Sequence, residues 1–228
     1  MVRDRKLIRE IVRLCIKFHS MPLKGNLLKL PRDEISYEDL LIHIKKRYDS
    51  LGKLTSNKEF IGIADESYEN LRSKSLTRRD IHPLVLGHGD ICEQNLIIHR
   101  EELKLIDFEG LGLTEPAAEI AYIFTQFGEK DLGSKEREIF LEEYIKLRKD
   151  STLRERVNVF MPLKNFSDLL WAVGQALKIK NRLLHEHYLE SNSLKDAVAY
   201  AQKVFGRCVV DKTIDKKYKD FDLNNVLK

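Results

Sequence analysis

The stretch LGHGDICEQNLIIHREELKLIDFEG, residues 86–110, constrains this chain more than any other. Two short apolar runs, NLIIH and LKLIDF, flank the polar tripeptide REE, which predicts a small β-hairpin. A carboxylate, Asp90, precedes the hairpin in a glycine-bearing loop. An amide, Asn95, opens its first strand, and a second carboxylate, Asp107, follows its second. Paired strands leave their outer ends adjacent, so the hairpin carries Asn95 and Asp107 to one place. Taken singly, an aspartate after a glycine is a turn residue and an asparagine before a strand is a cap. It is the ordered combination that asks for chemistry.

Around this insertion the pattern is helical. In RKLIREIVRLCIKFH the apolar Leu7, Ile8, Ile11, Val12, Cys15 and Phe18 make one stripe. In SYEDLLIHIKKRYDSLG, Ser36 and Asp39 form a capping box, Leu40, Leu41, Ile44 and Tyr48 the buried face, and Gly52 the stop. A third helix is expected in KEFIGIADESYENLRSK, and further ones at 134–149, 165–187 and 193–206, with Ser193 and Asp196 as a second capping box and Gly206 as an end. The charged tail, residues 211–228, reads as a frayed helix or a flexible end. The organisation expected is one domain over residues 1–210, of class α+β and mostly helical. Its central hairpin segment covers 86–110, and a helical subdomain covers 134–210.

Composition narrows the function classes. Hydrophobic residues make up 43% of 228, enough for a core. Forty basic against 36 acidic residues leave +4, spread along helix faces, which is not the concentrated patch of a nucleic-acid binder. Cys15, Cys92 and Cys208 form no C-x-x-C pair, so a disulfide framework is not expected and a reducing compartment fits. The start, MVRDRKLIREIVRL, lacks the apolar core of a signal peptide, and no stretch has the length of a membrane span. The chain reads as soluble and cytoplasmic, with neither membrane nor nucleic acid as partner.

His88-Gly89-Asp90, then Asn95, then Asp107-Phe108 follow the phosphotransfer template H-R-D-x-x-x-x-N and D-F-G. That chemistry needs positioning and charge neutralisation more than covalent help. Asp90 suits a base that orients a hydroxyl and accepts its proton. Asn95 and Asp107 offer the hard oxygen ligands that magnesium prefers. HGDICEQN, LKLIDFEG and TEPAAEIA together resemble the aminoglycoside phosphotransferase and choline kinase group, which shares the protein-kinase-like fold. The end of the first helix, LCIKFHSMPL, resembles that group's leucine-histidine helix end. The resemblance implies Asp90 as catalytic base, Asn95 and Asp107 as ligands of Mg2+, and His88 and Glu119 as braces of the catalytic loop. It implies ATP or another nucleoside triphosphate as donor and a small-molecule hydroxyl as acceptor.

Two departures bear on the acceptor. Gly89 stands where protein kinases carry an arginine that can pair with an activation-loop phosphate, and Glu109 replaces the glycine of D-F-G. Only a short loop separates Asp107 from EPAAE, which favours a small molecule over a peptide. Glu115 and Glu119 stand where the group prefers aspartate. Glu109 and Trp171 are candidates for acceptor contact, Trp171 as a cation–π wall or, alternatively, as a core residue with Phe166, Leu170 and Leu177. LLHEHYLE at 183–190 could supply carboxylates to a cationic acceptor or be a polar helix end.

Rival readings are a zinc or dinuclear hydrolase on His88, Asp90 and Cys92 with His82 or His99, and a glycosidase pair of Asp90 with Asp107. Residues 1–80 show no glycine-rich turn between strands and no strand lysine, so the chain looks like the C-terminal lobe alone, a fragment or a short natural protein. The surface that an N-lobe would cover is then a place for self-association or a partner chain. The alternative to an enzyme is a non-catalytic binding domain on the same scaffold.

Overall fold

A computed structural model describes residues 5–31, 36–75, 83–100, 102–127, 132–184 and 193–227. The chain divides into two compact units, one of residues 1–39 and 80–161, the other of 40–79 and 162–228.

The first unit is built around helix α1, Arg5–His19, whose buried residues Ile8, Ile11, Val12, Cys15 and His19 fall at helical spacing on one face. Strand β1, Val85–Gly87, pairs antiparallel with β4, Gly112–Thr114, and β2, Leu96–His99, pairs with β3, Glu102–Leu105. The hairpin expected from the sequence is the second of these ladders, with Leu96 opposite Leu105. The first ladder joins the two flanks of the hairpin and was not foreseen, because three-residue strands are too short to show a period. Helix α4, Pro116–Gln126, begins with proline at its first position and is capped by Glu115, which accepts from the Ala118 N–H at 3.0 Å. It is buried on nearly every side. Helix α5, Ser134–Arg148, packs on α1, and α1 also meets β1 and β3.

The second unit holds α2, Tyr37–Gly52, apart from its first turn, α3, Lys58–Ser75, and most of α6, Leu153–Lys180, followed by α7, Leu194–Val210. Helix α6 starts before and stops short of the expected 165–187. It runs through Pro162, which removes one backbone donor without ending the helix. Helix α7 passes Gly206 and ends at the Asp211 cap. The residues after it correct the reading of a frayed or flexible tail: Ile214, Phe221, Leu223 and Val226 are buried, and Phe221 stacks on Phe60 and Phe205. The period failed there because the segment folds as two 3-10 turns, Lys216–Tyr218 and Leu223–Leu227. No described helix is long and apolar enough to cross a membrane.

Candidate active site

The loop from His88 to Asn95 lies between β1 and β2 in the first unit. Gly89 takes φ +80°, and a Cβ built there would stand 2.1 Å from the Gly110 carbonyl oxygen. Both the left-handed backbone and the close approach of a second chain segment require glycine. Gly89→Ala should therefore destabilise the protein by roughly 2–4 kcal/mol, seen as a lowered urea midpoint. A midpoint equal to wild type would show that the loop has no such constraint.

Asp90 is partly exposed, and donors reach both of its oxygens: Tyr122 Oη donates to Oδ1 at 3.0 Å and Asn95 Nδ2 to Oδ2 at 2.8 Å. The Asn95 amide also donates to the Asp90 carbonyl at 2.9 Å. Its nitrogen is thus committed, which leaves Oδ1 as the atom able to bind a cation. Asn95 is 8% exposed at the mouth of the hairpin, and the Ile106 N–H donates to its carbonyl at 3.0 Å. That cross-strand bond brings Asp107, the next residue, alongside Asn95. Asp107 is exposed and takes φ 62°, a left-handed backbone that aspartate tolerates better than most residues. These residues fit a magnesium ion: one amide oxygen and one carboxylate at a hairpin mouth, with water and phosphate completing the shell.

Glu119 holds the loop from behind. Its Oε1 accepts from the His88 N–H at 2.7 Å and the Gly89 N–H at 2.9 Å, and its Oε2 is bonded by His19 Nε2. His19 Nδ1 lies 2.6 Å from the Tyr144 hydroxyl. Burial by itself would raise the Glu119 pKa, but the His19 bond and charge together with the two loop amides outweigh it and hold the carboxyl below its ordinary value. Burial pushes the Tyr144 phenol well up, so it remains a hydroxyl.

His88 is fully buried. The Asp90 N–H reaches its Nδ1 at 3.3 Å, and its Nε2 lies 3.1 Å from the Ile106 carbonyl. A backbone N–H can only donate and a carbonyl only accept, so the proton sits on Nε2. The ring links the loop to the hairpin and meets Phe108, which in turn stacks on Phe18.

Both His88 nitrogens are engaged, and His99 is exposed at the far end of β2. No group of three or more His, Cys, Asp or Glu able to hold a metal is found among the described residues. His82, His185 and His187 lie outside those residues, as does most of the 183–190 segment.

Glu109 is exposed in the turn after Phe108. Trp171 belongs to the second unit and is 43% exposed, while Phe166, Leu170 and Leu177 are buried. It lines a groove with Lys46, Arg47 and Lys178, where a cationic ligand would meet like charge. Sequence reasoning missed His19, Tyr122 and Tyr144. Of these His19 carried a signal, for it continues the apolar stripe four residues after Cys15.

Solved kinases share this architecture. The Plasmodium vivax ethanolamine kinase aligns over 93% of this chain and 62% of its own, with 20% identity and a TM-score of 0.63. The choline kinase of Cryptosporidium parvum aligns over 99% and 70%, with 16% identity and 0.65. The choline/ethanolamine kinase family protein of Mesorhizobium loti aligns over 100% and 70%, with 15% identity and 0.64. The chain thus spans somewhat under two thirds of the first of these and 70% of the others. At such identities the likeness is one of fold, the protein-kinase-like phosphotransferase fold. No curated protein sequence matches. A family model described as the phosphotransferase enzyme family covers residues 2–158, more than half of the chain and all of the loop and hairpin just described, and the chain belongs to that family.

Proposed function

We propose that this chain carries the base and the metal ligands for phosphoryl transfer from ATP, or another nucleoside triphosphate, to a hydroxyl of a small molecule. One observation carries the reading: the Asp90 carboxylate is fixed by donors at both oxygens yet remains open to solvent. A base placed for a hydroxyl needs that combination of fixed aim and access.

Asp90 is the base. It orients the acceptor hydroxyl and takes its proton as the oxygen bonds to the γ-phosphorus and the bond from that phosphorus to the departing nucleoside diphosphate breaks. Asn95 Oδ1 and the Asp107 carboxylate would hold Mg2+. When bound, the ion neutralises charge on the transferring phosphoryl group. Asn95 then serves twice, binding the ion through oxygen and aiming the base through nitrogen. Tyr122 is a positioning residue for the same carboxylate. Glu119, His19 and Tyr144 keep the loop in place from the buried side.

This fold holds the nucleotide phosphates with a glycine-rich strand turn and a strand lysine. Among the described residues no strand precedes Val85. The exposed Ile97, Ile98, Ile106 and Phe108 at the hairpin support the reading that a further part of the enzyme covers this face. The short connection from Asp107 to α4 supports a small acceptor over a peptide. The test is whether the full natural protein containing this chain moves phosphate from Mg-ATP onto a small alcohol.

A further inference from the structure

The groove that Trp171 lines lies wholly within the second unit and holds about 290 Å³. Its floor is apolar, from Leu51, Leu170 and the bare backbone of Gly174 in α6. A Cβ built at Gly174 would rest 3.9 Å from Leu51 Cδ1, so glycine leaves open a space that a side chain would enter. Trp171 forms a flat wall, held by an edge contact with Tyr200 at 6.4 Å.

The polar lining has one sign. Lys46, Arg47 and Lys178 line the groove, and among the described residues no carboxylate does. Neither Lys46 nor Lys178 has an acidic partner among the described residues. Arg47 is fixed by donating from Nη1 to the Ser167 carbonyl at 3.0 Å and from Nε to His43 Nε2 at 3.0 Å. Neither bond neutralises the guanidinium. Asp168, which feels the Arg47 charge, is bonded by Tyr200 at 2.9 Å and paired with Arg207 at 3.8 Å. The groove therefore combines an aromatic wall, an apolar floor and three cations, one of them held rigid.

We propose that this groove binds a flat organic anion, with an aromatic or heteroaromatic body against Trp171 and the leucines and a phosphate, sulfonate or carboxylate toward Arg47 and the two lysines. Guanidinium recognises such groups through parallel N–H bonds, and fixing it in advance lowers the cost of ordering. Charge complementarity selects the occupant: an aromatic cation would gain the same stacking but face three like charges. This site is separate in its residues from the Asp90 loop, and its test does not depend on phosphotransfer.

Trp171 is the only tryptophan in the sequence, so its fluorescence reports on this groove alone. The intact protein is titrated with naphthalene-1-sulfonate, the neutral naphthalene-1-methanol and the cationic naphthyl-trimethylammonium. Saturable quenching is expected for the sulfonate, weaker by about tenfold or more for the alcohol, as fits the loss of charge-assisted bonds, and absent for the cation. Lys46→Glu, at an exposed position, and Lys178→Glu, at a half-buried one, should each weaken the sulfonate without changing the melting curve. The proposal is overturned if the cation binds as well as the sulfonate, if neither charge reversal changes the titration, or if wild-type quenching never saturates.

Discussion

Asp90→Asn should lower phosphotransfer by on the order of 10²- to 10⁴-fold, the usual worth of a positioned base, while the melting curve stays that of wild type. The substitution is nearly isosteric. Its remaining oxygen can still accept from Asn95 Nδ2, as Oδ2 does now at 2.8 Å. Its new amide can donate to Tyr122, because a phenol oxygen also accepts. The loop therefore keeps its bonds and loses only the capacity to take a proton and carry charge. Turnover at the wild-type rate in an ADP-release assay, with normal melting, would remove Asp90 from the base role.

The second large effect belongs to Glu119, which is buried behind the loop. Glu119→Ala should cost about 3–5 kcal/mol of stability, because one substitution strips a buried partner from His19 and from two loop amides. Turnover should fall with it, since the amides it holds belong to the two residues before Asp90. The pH dependence has a definite sign. The folded-state pKa of Glu119 lies below the ordinary 4.5, so its contribution is complete above that value and is lost as pH falls through the folded pKa. Glu119→Gln should flatten the acid limb of a stability-versus-pH curve below 4.5. A wild-type urea midpoint for Glu119→Ala, or an acid limb unchanged in Glu119→Gln, would show that the loop is held by something else.

The central segment was legible because its chemistry is local. Asp90, Asn95 and Asp107 sit within one loop and one hairpin, and strand pairing follows from two apolar runs around REE. The brace was only partly legible. Glu119 could be placed through the resemblance of TEPAAEIA to the family motif, but its partner His19 lies 100 residues away on α1. A single histidine on an apolar stripe does not say which buried acid it meets. Tyr122 was hidden for a related reason: α4 is apolar on nearly every side, so no period marks the one face that reaches Asp90. The β1–β4 ladder pairs segments too short to alternate, and the 3-10 turns after Asp211 bury residues at no helical spacing. The groove beside Trp171 was not legible because its cations come from Lys46 and Arg47 on α2 as well as Lys178 on α6, and only folding gathers them.

Phosphorus NMR follows directly the acid–base and metal-assisted transfer of a phosphoryl group to an alcohol. The full natural protein is incubated with Mg-ATP and, in turn, choline, ethanolamine and an aminoglycoside. A phosphomonoester resonance is expected that requires a hydroxyl acceptor, disappears when EDTA removes the metal, and is lost in Asp90→Asn. Inorganic phosphate as the only product whatever the acceptor, or ester formation that persists at the wild-type rate with EDTA or in Asp90→Asn, would contradict it.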